Sequence, residues 1–402
     1  MKTEIIKKNI SKAARLIKSG KITAVPTETV YGLACSAMDA GAVARVYALK
    51  GRPPEKPLSL LVPGPEALEK YCMDIPKAAY TLAEKFWPGP LTIVLKSSGV
   101  VPDVVTAGGD TVGLRCPKHD LTLKLLAEIS LPLAAPSANL SGQKPPATAG
   151  EVLEYFGGKI DGVIDGGRCE AGAESTIIDL SRSPYRILRE GALSSDEIIR
   201  AVTGAMNIIG LTGGSGTGKT TALKVSESLG ALAIDCDDVY HELLESNQDM
   251  VFEISSQFEG VVTDGVLRRK DLGQIVFRGR EALERLNSVT HKYIRAEVDK
   301  RLSCYAMEGG KTAAVAAIAL IESGRAEKCS TVVGITASPE VRLLRITERE
   351  SLLREYARMR IDAQKTDEFF RENCDFIIEN NGSIGEFRDK CGKLFEELMN
   401  NG

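Results

Sequence analysis

Gly213-Gly214-Ser215-Gly216-Thr217-Gly218-Lys219-Thr220 has the spacing of a phosphate-binding loop, and it follows the apolar run Asn207-Ile208-Ile209-Gly210-Leu211 in the middle of the chain. Glycines at these places let the backbone curl until its N–H groups face the β- and γ-phosphates of a nucleotide. Lys219 reaches the same oxygens and Thr220 holds Mg²⁺. The preceding run reads as a strand and Ala222–Leu229 as a helix, the context such a loop requires. Thr221 belongs with the loop as part of an ATP site.

A loop at this position in a 402-residue chain implies that about two hundred residues fold separately before it. The expected domains are therefore residues 1–205 and 206–402. Ser194-Ser195-Asp196-Glu197 opens a short helix that Val202-Thr203-Gly204-Ala205 closes, and Met206, seven residues before the loop, reads as a former start codon retained in a fusion. Residues before position 206 carry 25 basic and 22 acidic side chains, and those after it 26 and 32, so neither half is a polyanion binder by bulk charge.

Nine cysteines are scattered without a C-x-x-C pair, which fits reduced thiols in the cytosol and argues against a zinc site. With no membrane-length apolar stretch and no apolar leader at the amino terminus, the expected location is the cytoplasm, with no membrane partner.

The first half reads as a helix over 3–19, a strand at Lys21–Val25, and further strands at Leu58–Val62, Leu91–Leu95, Val112–Leu114, Leu131–Ala135, Gly162–Ile164, Ser175–Leu180 and Arg186–Leu188. Helical patterns near 40–49, 65–72, 77–86, 120–129 and 148–156 lie between them. The expected class is α/β: a twisted mixed open sheet with flanking helices. In the second half, strands at Ala231–Ile234, Thr312–Ile321, Thr331–Thr336 and Phe376–Glu379 alternate with helices, which predicts a parallel sheet. The stretch Val239–Met307 reads as a helical insertion.

Asp235-Cys236-Asp237-Asp238 stands at the carboxyl end of the strand after the loop, where such sheets place ligands. Phosphoryl transfer to an alcohol needs Mg²⁺ and a group that takes the hydroxyl proton. Asp237 is the candidate base, with an N-cap of the following helix as its plainer reading, and Asp235 supports Mg²⁺ through water.

With Asp264 through Leu272, Leu286-Asn287 through His291, Leu320-Ile321-Glu322, Ser338-Pro339-Glu340 and Asp375 through Gly382, these residues resemble the dephospho-CoA kinase family over residues 206–402. The resemblance implies a P-loop kinase that transfers the ATP γ-phosphate to the ribose 3′-hydroxyl of dephospho-CoA, with Mg²⁺ as cofactor. It also places Arg342, Arg345, Arg349, Arg354 and Arg358 on a mobile lid, with Arg349 at the ATP, a solvated helix face being the plainer reading of each arginine. Two departures stand out. Ala316 and Ile318 replace the family's acidic residue and proline, and Lys292 replaces the proline after His291, which puts activity in question. Shikimate kinase shares the Asp-x-Asp but needs an Arg-Gly-Gly segment that this chain lacks.

The first half gathers Pro26-Thr27-Glu28-Thr29-Val30-Tyr31-Gly32-Leu33, Lys50-Gly51-Arg52-Pro53, Arg115, Ser137-Ala138-Asn139 and Arg189, cations and hydroxyls at loop positions suited to an anion. Singly, each is more often a surface charge or a turn residue. With Trp87 through Thr92 and Gly172 through Thr176, the set resembles the YrdC-type threonylcarbamoyl-AMP synthases over about residues 5–200.

That resemblance implies condensation of L-threonine, bicarbonate and ATP, with release of pyrophosphate, into the intermediate that modifies adenosine beside the anticodon of certain tRNAs. Lys50, Arg52, Ser137, Asn139 and Arg189 would bind ATP, with Lys50 and Arg52 catalytic, and Thr27, Arg115 and Ser175 would bind threonine. Further partners would be tRNA or a downstream tRNA threonylcarbamoyl transferase. Leu60-Leu61 stand where some relatives have a histidine, and the extra C-terminal domain of longer relatives is not expected. The rivals to a bifunctional enzyme are an RNA-binding module in the first half, disfavoured by 5% aromatic content, and either a different P-loop kinase or a decayed regulatory domain in the second.

Overall fold

The computed structural model describes residues 2–263, 266–276, 279–350 and 353–400. Contacts divide the chain into two compact units: Met1–Ala205 with Met307–Gly309, and Met206–Ala306 with Gly310–Gly402.

The first unit is built on a mixed sheet whose strands run, in spatial order, Glu4–Ile6, Gly162–Ile164, Thr23–Val25, Gly32–Ser36, Leu133–Ala134, Leu60–Leu61, Thr111–Arg115, Leu91–Ser97, Thr176–Asp179 and Arg186–Arg189, with Cys72–Met73 paired to Leu91–Ser97. The order is not sequential, so strands distant in sequence lie side by side. Helix Ile10–Lys18 packs Ile10, Ala13, Ala14 and Ile17 against Leu125, Leu126 and Ile129 of helix Asp120–Ile129. That spacing is the apolar stripe of an amphipathic helix.

Several expected strands are shorter than their apolar runs, among them Leu58–Val62, observed as Leu60–Leu61, and Leu131–Ala135, observed as Leu133–Ala134, and three larger differences stand out. The helix expected over 3–19 starts only at Ile10, capped by Asn9, because Glu4–Ile6 is recruited as a parallel strand against Gly162–Ile164. The strand Gly32–Ser36 was not anticipated; its five residues are all buried and pair antiparallel with Thr23–Val25. The strand expected over Thr312–Ile321 ends at Ala316.

The second unit holds a five-stranded, wholly parallel sheet in the order Leu232–Asp235, Thr312–Ala316, Asn207–Thr212, Thr331–Thr336, Phe376–Glu379. All six residues of Asn207–Thr212 are buried. Central parallel strands are covered on both faces, which fits the apolar run Ile208-Ile209-Gly210-Leu211, while the polar ends Asn207 and Thr212 bond to Leu398 O and Ile318 O. Helix Lys219–Ser228 and helix Ile384–Asn400 cover one face through Ala222, Leu223, Phe387, Cys391 and Phe395. The expected helical insertion comprises Cys236–Ser246, Gln248–Gln257, Arg269–Val276 and Arg280–Met307, interrupted by the short hairpin Val262–Thr263/Val266–Leu267. Asp264 and Gly265 of the family motif lie outside the described residues.

Candidate functional sites

In the second unit the loop Gly213–Gly218 links the central strand to the first turn of helix Lys219–Ser228, so backbone N–H groups and the positive end of the helix converge. Gly213, Gly216 and Gly218 adopt φ of 141°, 79° and 111°. At Gly213 no side chain fits: a Cβ there would collide with the carbonyl oxygen of Ile335.

Lys219 folds back over the loop and donates to Gly213 O at 2.9 Å and Gly214 O at 3.1 Å. Burial lowers its pKa to about 8, against the pull of Asp237 and Asp235, and the nearby charges of Arg342 and Arg349 lower it further. Lys219, Asp235, Asp237, Arg342 and Arg349 thus share one electrostatic neighbourhood.

Asp235, not Asp237, caps helix Cys236–Ser246, and its Oδ1 accepts from the Asp237 N–H at 3.0 Å. Asp237 lies in the first turn of that helix, which leaves its carboxylate available to a ligand. The Thr220 hydroxyl donates to Asp235 Oδ2 at 3.5 Å, and burial raises the Asp235 pKa, the mark of a carboxylate short of positive charge. Two hard oxygens beside the phosphate loop fit Mg²⁺, which takes one or two protein ligands plus phosphate oxygens and water. Among the described residues no group of three or more His, Cys, Asp or Glu side chains forms a full metal cage. Ala316 stands in register with both Asp235 and Leu211, so a methyl occupies the place where the kinase pattern has a carboxylate.

The arginines expected on a lid divide. Arg342 is buried and its Nε donates to Ser215 O at 2.9 Å, while Arg345 donates to Gly216 O at 3.4 Å and to Asn380 Oδ1 at 3.1 Å. Both therefore hold the phosphate loop itself. Arg349, Arg354 and Arg358 are exposed, and Thr221 lies within the helix that follows the loop. Gln364 and Asn380, to which no role was assigned from sequence, also bond to the loop. Asn380 falls inside the Asp375–Gly382 motif; Gln364 has no motif signal.

In the first unit, Lys50 ends helix Ala40–Lys50 and is 3% exposed. Its ammonium donates to the carbonyls of Ser137 and, at 2.6 Å, Asn139. Burial first, and Arg52 second, lower its pKa to about 8. Arg52 curls back to Lys56 O at 3.1 Å and Pro57 O at 2.9 Å. Asn139 Nδ2 donates to Leu140 O and Gln143 O at 2.8 and 2.7 Å, while its buried Oδ1 has no partner.

Arg115, at the end of strand Thr111–Arg115, donates to Thr29 Oγ1 at 2.8 Å and lies 2.9 Å from Glu28 Oε1. Thr27 Oγ1 meets Thr29 Oγ1 at 2.9 Å. Ser175 meets Thr92 Oγ1 at 2.9 Å and receives Arg189 at both its carbonyl, 3.0 Å, and its hydroxyl, 3.1 Å; Arg189 also pairs with Glu174 at 2.8 Å. The charge of Arg189 is felt at Arg52 and at Arg115, and that of Glu174 at Lys50 and Arg52. Lys50, Arg52, Arg115 and Arg189, with Thr27, Thr29 and Ser175 bonded around them, therefore form one cationic cluster, while Ser137 and Asn139 join it through the carbonyls that hold Lys50. Glu28 and Glu174 are its carboxylates, and they escaped assignment although both lie inside quoted motifs.

The Sua5–YciO–YrdC family model, described as telomere recombination, matches residues 15–191, and the CoaE model, described as dephospho-CoA kinase, matches residues 207–386. The threonylcarbamoyl-AMP synthase of Pyrococcus abyssi is 49% identical over 190 residues, which cover 47% of this chain and 56% of that protein. A putative threonylcarbamoyl-AMP synthase of Mycobacterium tuberculosis is 36% identical over 192 residues, covering 48% and 88%. The dephospho-CoA kinase of Corynebacterium diphtheriae is 35% identical over 195 residues, covering 48% and 96%. The chain spans little more than half the length of the first two curated relatives it matches, 56% and 58%.

Proposed function

This chain belongs to the Sua5–YciO–YrdC family over its first half and to the dephospho-CoA kinase family over its second, and from that premise we propose that it is a bifunctional ATP-using enzyme with one active site in each half. The observation that supports this reading is the presence of two separate groupings of cations, different in construction, each suited to an anion. One is a P-loop with Lys219 and a facing Asp235/Asp237 pair; the other is a cluster of Lys50, Arg52, Arg115 and Arg189. The division of contacts at Ala205/Met206 supports two catalytic domains, residues 1–205 and 206–402.

In the second half the reaction is transfer of the ATP γ-phosphate to the 3′-hydroxyl of dephospho-CoA. Loop N–H groups and Lys219 hold the β- and γ-phosphates, and Asp237 takes the proton from the attacking hydroxyl. Thr220 and Asp235 would hold Mg²⁺, which when bound neutralises charge developing on the phosphates. In the first half the substrates are L-threonine, bicarbonate and ATP, and the products threonylcarbamoyl-AMP and pyrophosphate. Lys50, Arg52, Ser137, Asn139 and Arg189 bind the nucleotide. Thr27, Arg115 and Ser175 bind threonine, the Arg115 guanidinium meeting the amino-acid carboxylate with Glu28 beside it.

The product of the first site is an activated intermediate for tRNA modification, so tRNA or the transferase that consumes the intermediate is the partner. The cytoplasm is the location this reading assigns. Among the described residues no helix is long and apolar enough to cross a membrane.

Purified full-length protein tests both activities. Pyrophosphate release that requires threonine and bicarbonate, and CoA formation that requires dephospho-CoA, are the expected results. Tight tRNA binding without pyrophosphate release refutes the first assignment, and ATP binding without CoA formation refutes the second.

A further inference from the structure

The phosphate loop of the second unit is held from behind as well as in front. Three consecutive carbonyls are tied down: Ser215 O by Arg342 Nε at 2.9 Å, Gly216 O by Arg345 at 3.4 Å, and Thr217 O by Asn380 Nδ2 at 2.7 Å. A peptide group is planar with its C=O and N–H on opposite sides, so fixing the oxygens behind the loop turns the N–H groups of Gly216 and Gly218 toward the front, while the Thr217 N–H bonds back to Gly214 O at 3.4 Å. That is the side a phosphate approaches.

Gln364 completes this arrangement from outside every motif. It lies just past helix Arg354–Asp362, 149 residues from Ser215 in sequence. Its Oε1 accepts from the Ser215 N–H at 2.8 Å and from Arg342 at 2.8 Å, and its Nε2 donates to Ser215 Oγ at 2.8 Å. One amide therefore satisfies both polar groups of Ser215 that Arg342 leaves, and fixes the Arg342 guanidinium as well. Ser215 and Arg342 are 3% and 4% exposed, so water offers little substitute for these bonds.

We propose that Gln364 is a positioning residue for ATP: acting through Ser215 and Arg342, it sets the N–H groups of the phosphate loop and links them to helix Arg354–Asp362. The proposal rests on the reading of this unit as a phosphotransferase. The side-chain bonds of Gln364 go to Ser215 and Arg342. Its bonds hold the loop equally before and during transfer, so its removal weakens nucleotide binding and leaves the chemical step nearly intact. An amide that merely filled a buried gap would, when removed, lower stability without separating ATP from the acceptor.

The test uses the full chain. Gln364→Leu removes all three bonds at similar volume. Gln364→Glu keeps an acceptor for the Ser215 N–H and for Arg342, and the Ser215 hydroxyl turns to donate. Steady-state kinetics give KM for ATP, KM for dephospho-CoA and kcat. Calorimetric titration with ATP, in a Lys50→Ala background that weakens the first unit's nucleotide site, gives direct affinity.

The expected result for Gln364→Leu is an ATP KM and dissociation constant raised about tenfold, with kcat changed less than about threefold and the acceptor KM unchanged. Gln364→Glu returns ATP affinity to within about threefold of the parent. A folded Leu variant with parental ATP affinity overturns the proposal. So does a Glu variant as weak as the Leu variant, or a loss confined to the acceptor KM. Should the Leu variant not fold, Ser215→Ala deletes the hydroxyl bonded to Nε2, and ATP affinity unchanged in that protein overturns the proposal equally. Gln364-dependent ATP binding without CoA formation would refute the kinase assignment and leave the role of Gln364 standing.

Discussion

Asp235 and Asp237 stand two residues apart and do different work because the helix begins between them. Asp235 is committed to capping that helix and to Thr220, whereas Asp237 sits in its first turn, close enough to Lys219 to raise the lysine's pKa. Asp237→Asn keeps the shape and removes the proton acceptor. We expect kcat for CoA formation to fall about 10²–10⁴-fold, the usual contribution of a positioned base, with ATP affinity retained. Unchanged turnover would remove Asp237 from that role.

In the other half, Lys50 supplies a pH dependence. Its folded pKa of about 8 lies below the ordinary 10.5, so its ammonium is lost as pH rises through about 8. ATP affinity of the synthase site should then fall by up to about tenfold per pH unit between pH 8 and 10. A flat profile across that range contradicts the assignment of Lys50 to the nucleotide. Stability runs the other way for this group: between about 8 and 10.5 the unfolded chain binds more protons, so the Lys50 contribution to stability rises with pH. Lys219, Asp237 and Lys50 could be singled out as candidates from side-chain type, spacing and family resemblance, and the structure sets Lys219 near Asp237 and Lys50 near Arg52. The acceptors of the Lys50 ammonium were not legible, since the carbonyls of Ser137 and Asn139 have no sequence signature.

Strand Asn207–Thr212, its loop and helix Lys219–Ser228 form the element on which the second site depends, and its turn works only without a side chain at its start. Gly213 has φ of 141° and lies against the backbone of strand Thr331–Thr336. In Gly213→Ala the new methyl would strike a carbonyl held in a parallel ladder, so the loop must move rather than the strand. We expect ATP affinity at this site to fall at least about tenfold, read by nucleotide titration, while far-ultraviolet circular dichroism stays unchanged. Parental affinity would show that the loop tolerates displacement.

The same element was the most legible part of the chain, because glycine spacing and an apolar strand report one conformation. Legibility fell where tertiary pairing overrides local pattern. Glu4–Ile6 lies next to a strong helical pattern and is a strand only because Gly162–Ile164 offers it an edge 150-odd residues away. The strand Thr312–Ala316 stops short of the apolar residues after it: Ala317 N–H still donates to Leu211 O and the Ile318 carbonyl accepts from the Thr212 side chain, and beyond them the chain leaves the ladder. Hydrophobicity continues through Ile321 and conceals that departure.

At the level of the whole chain, the two sites share no side chain. The first draws on residues between Thr27 and Arg189, the second on residues between Gly213 and Asn380. Each half carries its own cluster of cations, so near-balanced overall charge, −3 for the chain, conceals two local concentrations of positive charge, and bulk composition revealed neither. Sites without common partners give additive effects of substitution. Lys50→Ala should therefore reduce threonine-dependent pyrophosphate release at least about a hundredfold, because a buried cation is lost from an anion site, while CoA formation changes less than about twofold. Asp237→Asn should do the reverse, and the double variant should show the product of the single effects on each reaction. Both reactions are read from one preparation of each full-length variant, so differences in folding or concentration cancel. A Lys50→Ala protein whose CoA formation falls more than about fivefold, with its thermal transition unchanged, would mean that the nucleotide state of one half governs the other, and the fused chain would then be a coupled enzyme rather than two enzymes joined.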